Sequence, residues 1–147
     1  FKKAFLLKIS PDLKDENIDE LIGLILEYKI DGVILTNTTD SNRENLLSEK
    51  KLEAGGLSGK PISDLSTKFI KRFYRDLKDR VPIIGVGGID SGKTAFEKIT
   101  AGASALQLYT GMIYKGPTIV KEIKKDLISI LNEKGFKNIK EAVGSYS

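Results

Sequence analysis

Four times along this chain a short apolar run ends in glycines or small polar residues and then gives way to apolar residues at helical spacing. The runs are Ala4 to Ile9, Gly32 to Leu35, the stretch holding Ile83, Ile84 and Val86, and Ala105 to Leu108. The stripes that follow are Ile18, Leu21, Ile22, Ile25 and Leu26; Leu65, Phe69, Ile70, Phe73 and Leu77; Ala95, Phe96 and Ile99; and Ile119, Val120, Ile123, Leu127, Ile130 and Leu131. Strand-length runs alternating with stripes of period 3.6 predict an α/β chain whose parallel strands are joined by crossover helices. Every post-strand cluster then falls on one rim of the sheet, which gathers Lys8, Asn37, Ser58, Gly87, Gly88 and Thr110. Both (β/α)8 barrels and open doubly wound sheets bind ligands at that rim. A complete barrel takes roughly 250 residues, so four βα units in 147 residues predict about half of one. The opening Phe1 and a lone methionine, Met112, also suit a piece of a longer protein.

The junction VPIIGVGGID, Val81 to Asp90, is the densest of the four. Its β-branched run suits a parallel strand buried on both faces. Gly87 and Gly88 remove two Cβ atoms, so the backbone can turn through positive φ and bring its N–H groups close to an anion. Asp90 and Ser91 can cap the following helix, whose N-terminus would favour a phosphate. The bland alternative is a tight turn. Lys8 interrupts the first apolar run near its end, where it either reaches a ligand or a partner carboxylate or extends to solvent along its own stem. Thr36, Asn37, Thr38 and Thr39 either offer donors and acceptors to a flat heterocycle or satisfy their own backbone as a turn.

Other punctuation follows the same scheme. Asp12 to Asp15 supply caps and first-turn acids for the first helix. Residues 40–54 are charged, aperiodic and long for a connection, which predicts a functional loop or lid. Gly55-Gly56-Leu57-Ser58-Gly59-Lys60-Pro61 is a second glycine-rich turn, with its proline set for the start of a helix. Gly102 and Gly135 close helices, and Asn138 to Val143 predict a small terminal one.

The chain has neither Cys nor His, which removes Cys/His metal sites, thiol nucleophiles and imidazole acid–base chemistry from this segment. A net charge of +4 with a pI near 9.1 could suit nucleic acid, but the basic residues alternate with acids along the helices and read as solvated faces. No apolar run nears the roughly 18 to 20 residues of a membrane span, so the segment itself is expected to be soluble.

These motifs together resemble a known family. LKISPDL at 7–13, TNTT at 36–39, GGLSGKP at 55–61, VGGI at 86–89, LYTG at 108–111 and the ending GFKNIKEAVG at 135–144 resemble, in order and spacing, the C-terminal half of class 2 (quinone-dependent) dihydroorotate dehydrogenase. The resemblance implies a single FMN-binding (β/α)8 barrel domain of which residues 1–147 supply about the last four βα units. It implies oxidation of dihydroorotate to orotate in pyrimidine synthesis, with electrons passed to a quinone. Lys8 resembles the lysine that hydrogen-bonds the flavin ring, and Thr36 a further flavin contact. Asn37 and Thr38 resemble part of the clamp on the pyrimidine, Ser58 and Gly59 the backbone contacts beside the flavin, and Gly87, Gly88, Tyr109 and Thr110 the FMN phosphate site. No metal is implied. The family's catalytic serine, further substrate contacts, the quinone tunnel and the membrane-associating helices belong to the N-terminal half. No serine here matches that base, so the segment alone is expected to be inactive. The resemblance also implies a peripheral membrane enzyme of the bacterial cytoplasmic or mitochondrial inner membrane. Two rival readings are a non-catalytic half-barrel binding phosphorylated ligands, and another FMN-dependent barrel oxidoreductase.

Overall fold

A computed structural model describes residues 3–41, 43–44 and 46–147. Strands β1 (Leu6–Ile9), β2 (Gly32–Leu35), β3 (Ile83–Val86) and β4 (Ala105–Gln107) form one parallel sheet in the order of the sequence. The helices are α1 (Asp15–Glu27), α2 (Ser63–Leu77), α3 (Gly92–Thr100), α4 (Thr110–Lys115), α5 (Ile119–Glu133) and α6 (Ile139–Ala142). All four expected strands and the expected helices are present. The short α4 was not foreseen, because six residues, TGMIYK, are too few to display a helical period.

Pairing register sorts the strand residues into two faces, since neighbours in register project to the same side. Leu7 and Ile9 align with Val33 and Leu35, which continue into Ile83, Gly85 and Leu106. This face meets the helices: Ile9, Val33, Leu35 and Ile83 are buried with Ile18, Ile22 and Ile25 of α1 and Phe69, Ile70, Phe73 and Leu77 of α2. The other face carries Leu6, Lys8, Ile34, Ile84, Val86, Ala105 and Gln107. No layer covers it among the described residues: Leu6, Lys8, Ala105 and Gln107 are exposed, and Ile34, Ile84 and Val86 are half-buried. Burial of β3 on both faces is therefore met only on the helix side. A second apolar cluster joins Ile89, Ala95, Phe96 and Ile99 to Ile119, Ile123 and Leu127 of α5. Val120, expected in that stripe, is exposed at its margin.

Two caps differ from expectation in an informative way. Ser91 alone caps α3, in a reciprocal capping box with Thr94, while Asp90 instead lies 3.7 Å from the ammonium of Lys115. Asp12 does not cap α1, whose N-cap is Lys14 without a side-chain bond. Its carboxylate accepts from Thr39 Oγ1 and, at 2.9 Å, from the Asp40 N–H, so it fastens the chain after β1 to the turn after β2.

Lys98 of α3 breaks the apolar pattern of the interior, with no exposed side-chain surface at all. Its Nζ donates to the Ser63 carbonyl at 2.6 Å and to Thr67 Oγ1 at 2.5 Å, both in the first turns of α2. Burial lowers its pKa from 10.5 to about 8, against the opposing pull of Glu97 and Asp64. Below about pH 8 folded and unfolded chains both carry the proton, and the fold bears the burial penalty. Between about 8 and 10.5 the unfolded chain holds a proton that the folded chain has lost, so stability rises with pH through that window. In a protein containing this segment, wild type should gain on the order of 2 kcal/mol relative to Lys98→Met between pH 7 and pH 10. Parallel chemical denaturation at the two pH values measures it, and an unchanged difference would show that Lys98 is not desolvated.

Candidate functional site

All the chemistry-bearing motifs of the sequence meet at the C-terminal ends of the strands. A cavity of about 210 Å³ there is lined by Lys8 near the end of β1, by Thr36, Asn37 and Thr38 after β2, and by Gly87 and Gly88 after β3. Tyr109 and Thr110 after β4, with Ser58 and Gly59 from the loop before α2, complete the same wall. Every site residue singled out in the sequence therefore borders one cavity. A wider cleft of about 620 Å³ continues outward past Ser58, Gly59 and Gly88 to Leu46, Leu47, Lys60 and Tyr114.

Loop-to-loop contacts bring these segments together. The Thr39 and Leu57 backbones exchange two hydrogen bonds, 2.7 and 3.1 Å, pairing the TNTT turn with the glycine-rich loop. A Cβ on Gly56 would collide with Thr38. Gly59, at φ +77°, leaves no room for a side chain beside Thr110, and Ser58 Oγ lies 2.9 Å from Thr110 Oγ1. These are the positions where the absence of a Cβ is structural, because two loops distant in sequence must touch.

The Gly87–Gly88 turn follows the same logic. Both residues take positive φ, +116° and +73°, which favours glycine. A Cβ on Gly88 would come within 2.6 Å of Ser63 Cα, so it points at the first turn of α2 rather than into the cavity. Sequence reasoning assigned this glycine to leaving room for an anion. The structure assigns it to leaving room for a helix, while Ser66 Oγ of that helix donates to the Val86 carbonyl at 2.6 Å. What the turn offers the cavity is backbone: among the described residues no acceptor faces the N–H groups of Gly88 and Ile89. Consecutive N–H groups released in this way form an anion-sized concavity.

The side chains that line the wall are largely unengaged by protein. Thr36 is 2% exposed, yet its Oγ1 has no hydrogen-bond partner. A buried hydroxyl without a partner is uncommon in a folded protein. Asn37 and Thr38 are exposed, and no side-chain partner is found for them among the described residues. The TNTT segment is thus not a self-satisfied turn: Thr39 serves the structure through Asp12, and the other three face the cavity. Lys8 projects from the open face of β1 with no carboxylate partner among the described residues. Together the lining presents a cation, five hydroxyl-bearing residues and an amide, free N–H groups, and apolar walls from Ile62, Val86, Ile89 and Leu108. Such a mixture suits a flat polar heterocycle bearing an anionic group.

The long connection 40–54 borders the outer cleft. Arg43 knits it by donating to the carbonyls of Lys51 and Glu53, at 3.2 and 2.8 Å, and to that of Gly55. The middle of the loop forms a 3-10 turn, Glu49–Leu52, capped by Ser48. Residues 42 and 45 of the expected lid lie outside the described residues. Sequence reasoning missed Lys98, Ser63 and Ser66, the layer behind the turn. None sits in a motif, and a lysine in an amphipathic helix reads as solvent-facing.

Comparison with known proteins points the same way. The sequence model of the dihydroorotate dehydrogenase family matches residues 1–131. A quinone dihydroorotate dehydrogenase of Trichodesmium erythraeum is 51% identical over 97% of this chain and 40% of its own length. The mitochondrial quinone enzyme of Mus musculus is 46% identical over 97% of this chain and 36% of its own. In three dimensions, the ligand-free crystal structure of dihydroorotate dehydrogenase from Eimeria tenella superposes with a TM-score of 0.92 at 44% identity, covering 96% of this chain and 39% of that one. The complex of the Eimeria enzyme with ferulenol gives 0.94 at 43% identity. The chain spans about 40% of the length of these relatives, and its four-stranded sheet with flanking helices is part of a (β/α)8 barrel. With its motifs on one cavity and its family model matched over most of its length, the chain belongs to the dihydroorotate dehydrogenase family.

Proposed function

We propose that this chain is the C-terminal half of a quinone-dependent dihydroorotate dehydrogenase and supplies much of an FMN site and part of the dihydroorotate site. The observation that carries the reading is the convergence of ten motif residues on one cavity. FMN would supply two-electron redox chemistry between dihydroorotate and a quinone. Lys8 would donate to the flavin ring and balance negative charge on it, since a fixed cation is worth most where charge develops. Thr36 would complete the ring contacts through its free Oγ1. Ser58 and Gly59 would line the ring's flank. Gly87, Gly88, Tyr109 and Thr110 would hold the phosphate, the glycine turn by backbone N–H groups.

Asn37 and Thr38 would orient dihydroorotate, their side chains being open to the cavity. No serine in this chain matches the family's proton acceptor, so the base belongs to the upstream half, as do the quinone channel and the membrane-associating helices. Among the described residues no helix is long and apolar enough to cross a membrane. The full protein, once purified, should be yellow, should release FMN on denaturation, and in its native state should reduce a quinone at the expense of dihydroorotate. A colourless protein would favour a phosphate-binding half-barrel without redox chemistry. In that enzyme Asn37→Ala should lower kcat/KM for dihydroorotate by on the order of 1 to 3 kcal/mol with flavin content intact, which steady-state kinetics and absorbance together check.

The upstream half would also cover what this half leaves open. The face bearing Leu6, Ile34 and Ile84 has no layer over it, and β1 and β4 are free sheet edges among the described residues. Beside them Phe5 is 58%, Ile113 68% and Tyr109 76% exposed. Open edges next to apolar surface invite association. Residues 1–147 expressed alone should aggregate, self-associate or require the other half in trans. A monomer by light scattering with a sharp thermal transition would refute that dependence.

A further inference from the structure

Lys98 lines no part of the cavity, yet it sits one layer behind the turn that does. Its Nζ has three oxygen partners, the Ser63 carbonyl at 2.6 Å, Thr67 Oγ1 at 2.5 Å and Ser63 Oγ at 3.4 Å. Ser63 is in turn the residue against which Gly88 closes, with space for no Cβ between them. Three residues on, Ser66 Oγ grips the last carbonyl of β3. The first turn of α2 is thus held from behind by a lysine of α3 and presses from the front on the Gly87–Gly88 turn.

Packing alone does not call for an ammonium there. The Ser63 carbonyl already accepts from Thr67 Oγ1 at 3.0 Å, and an unbranched apolar side chain would fill the same space. A buried lysine is otherwise disfavoured. What the amine adds is a tether of fixed geometry and a positive charge behind a turn whose Gly88 and Ile89 N–H groups have no acceptor among the described residues. We propose that Lys98 is a positioning residue for phosphate recognition: it fixes the first turn of α2 against the Gly87–Gly88 turn and sets a cation behind the groove that receives the flavin's phosphate. This inference rests on the FMN reading given above. It adds a residue outside the cavity whose effect is confined to the anionic end of the ligand.

Riboflavin, which has the ring but no phosphate, separates this role from a general structural one. Full-length protein stripped of flavin is titrated with FMN and with riboflavin, by fluorescence quenching, in wild type, Lys98→Met and Thr67→Val. Lys98→Met should weaken FMN roughly tenfold, the usual scale for loss of a supporting contact behind a ligand group, and leave riboflavin unchanged. Thr67→Val keeps the lysine and removes one partner, so it should produce a smaller loss for FMN alone, and it carries the test should Lys98→Met not fold. Equal weakening of both flavins, or no weakening of FMN, would overturn the proposal. A wild type that takes up neither flavin would overturn the proposed function itself, an outcome distinct from a wild type that prefers FMN and variants that share its preference.

Discussion

Parallel pairing in sequence order is the constraint from which the rest of this structure follows. Because β1, β2, β3 and β4 run the same way, their C-terminal ends share one edge, and each chain exit from the sheet delivers its next few residues to the same place. The residues so delivered are short, polar or glycine, and the crossover helices occupy the opposite face. A site assembled in this way needs no long-range specificity beyond the register of the sheet. One-residue slippage of β1 would exchange Lys8 for its neighbours and move it to the buried face, so the apolar contacts of Leu7 and Ile9 also fix where the cation stands.

Register alone does not close the rim. Closure comes from contacts between loops: Asp12 with Thr39, Thr39 with Leu57, Ser58 with Thr110, and Gly88 with Ser63. All but the Thr39–Leu57 pair, which folds the β2–α2 connection onto itself, link one βα unit to another, and several need a glycine or a small hydroxyl because backbones pass within van der Waals distance. The composition of the site is thus shaped as much by loop packing as by any ligand. A glycine that looks as though it makes space for a phosphate can in fact be making space for a helix, while its conformation frees the N–H groups that a phosphate would use.

The two faces of the sheet show the difference between a folded layer and a complete domain. The helix-facing side has a dense core of aliphatic and aromatic side chains. The other side mixes Leu6, Ile34 and Ile84 with Lys8 and Gln107 and has no layer over it among the described residues. In a closed barrel the same positions point to the interior, where layers from all the strands fill the space. The relatives are about two and a half times as long as the stretch they share with this chain, which is the scale of a barrel against half of one.

Much of this was legible in the residues. Apolar run, polar cluster and helical stripe repeat four times, and local periodicity is enough to place strands, helices and the rim because those depend on neighbours in sequence. Lys8, Asn37, Gly87 and Thr110 could be assigned to one edge for the same reason. Other features depend on distances between segments far apart in the chain, and only the tertiary structure decided them. Asp12 looked like a helix cap and became a clamp on the next turn, since the Thr39 hydroxyl and Asp40 N–H are nearer than the helix start. Lys98 looked like a solvated residue and is buried, because α2 lies across the side of α3 from which it projects. The strand residues could be called apolar from the sequence. Which of them would be sealed and which left open was set by the helices, which cover one side of the sheet and, among the described residues, leave the other without a layer.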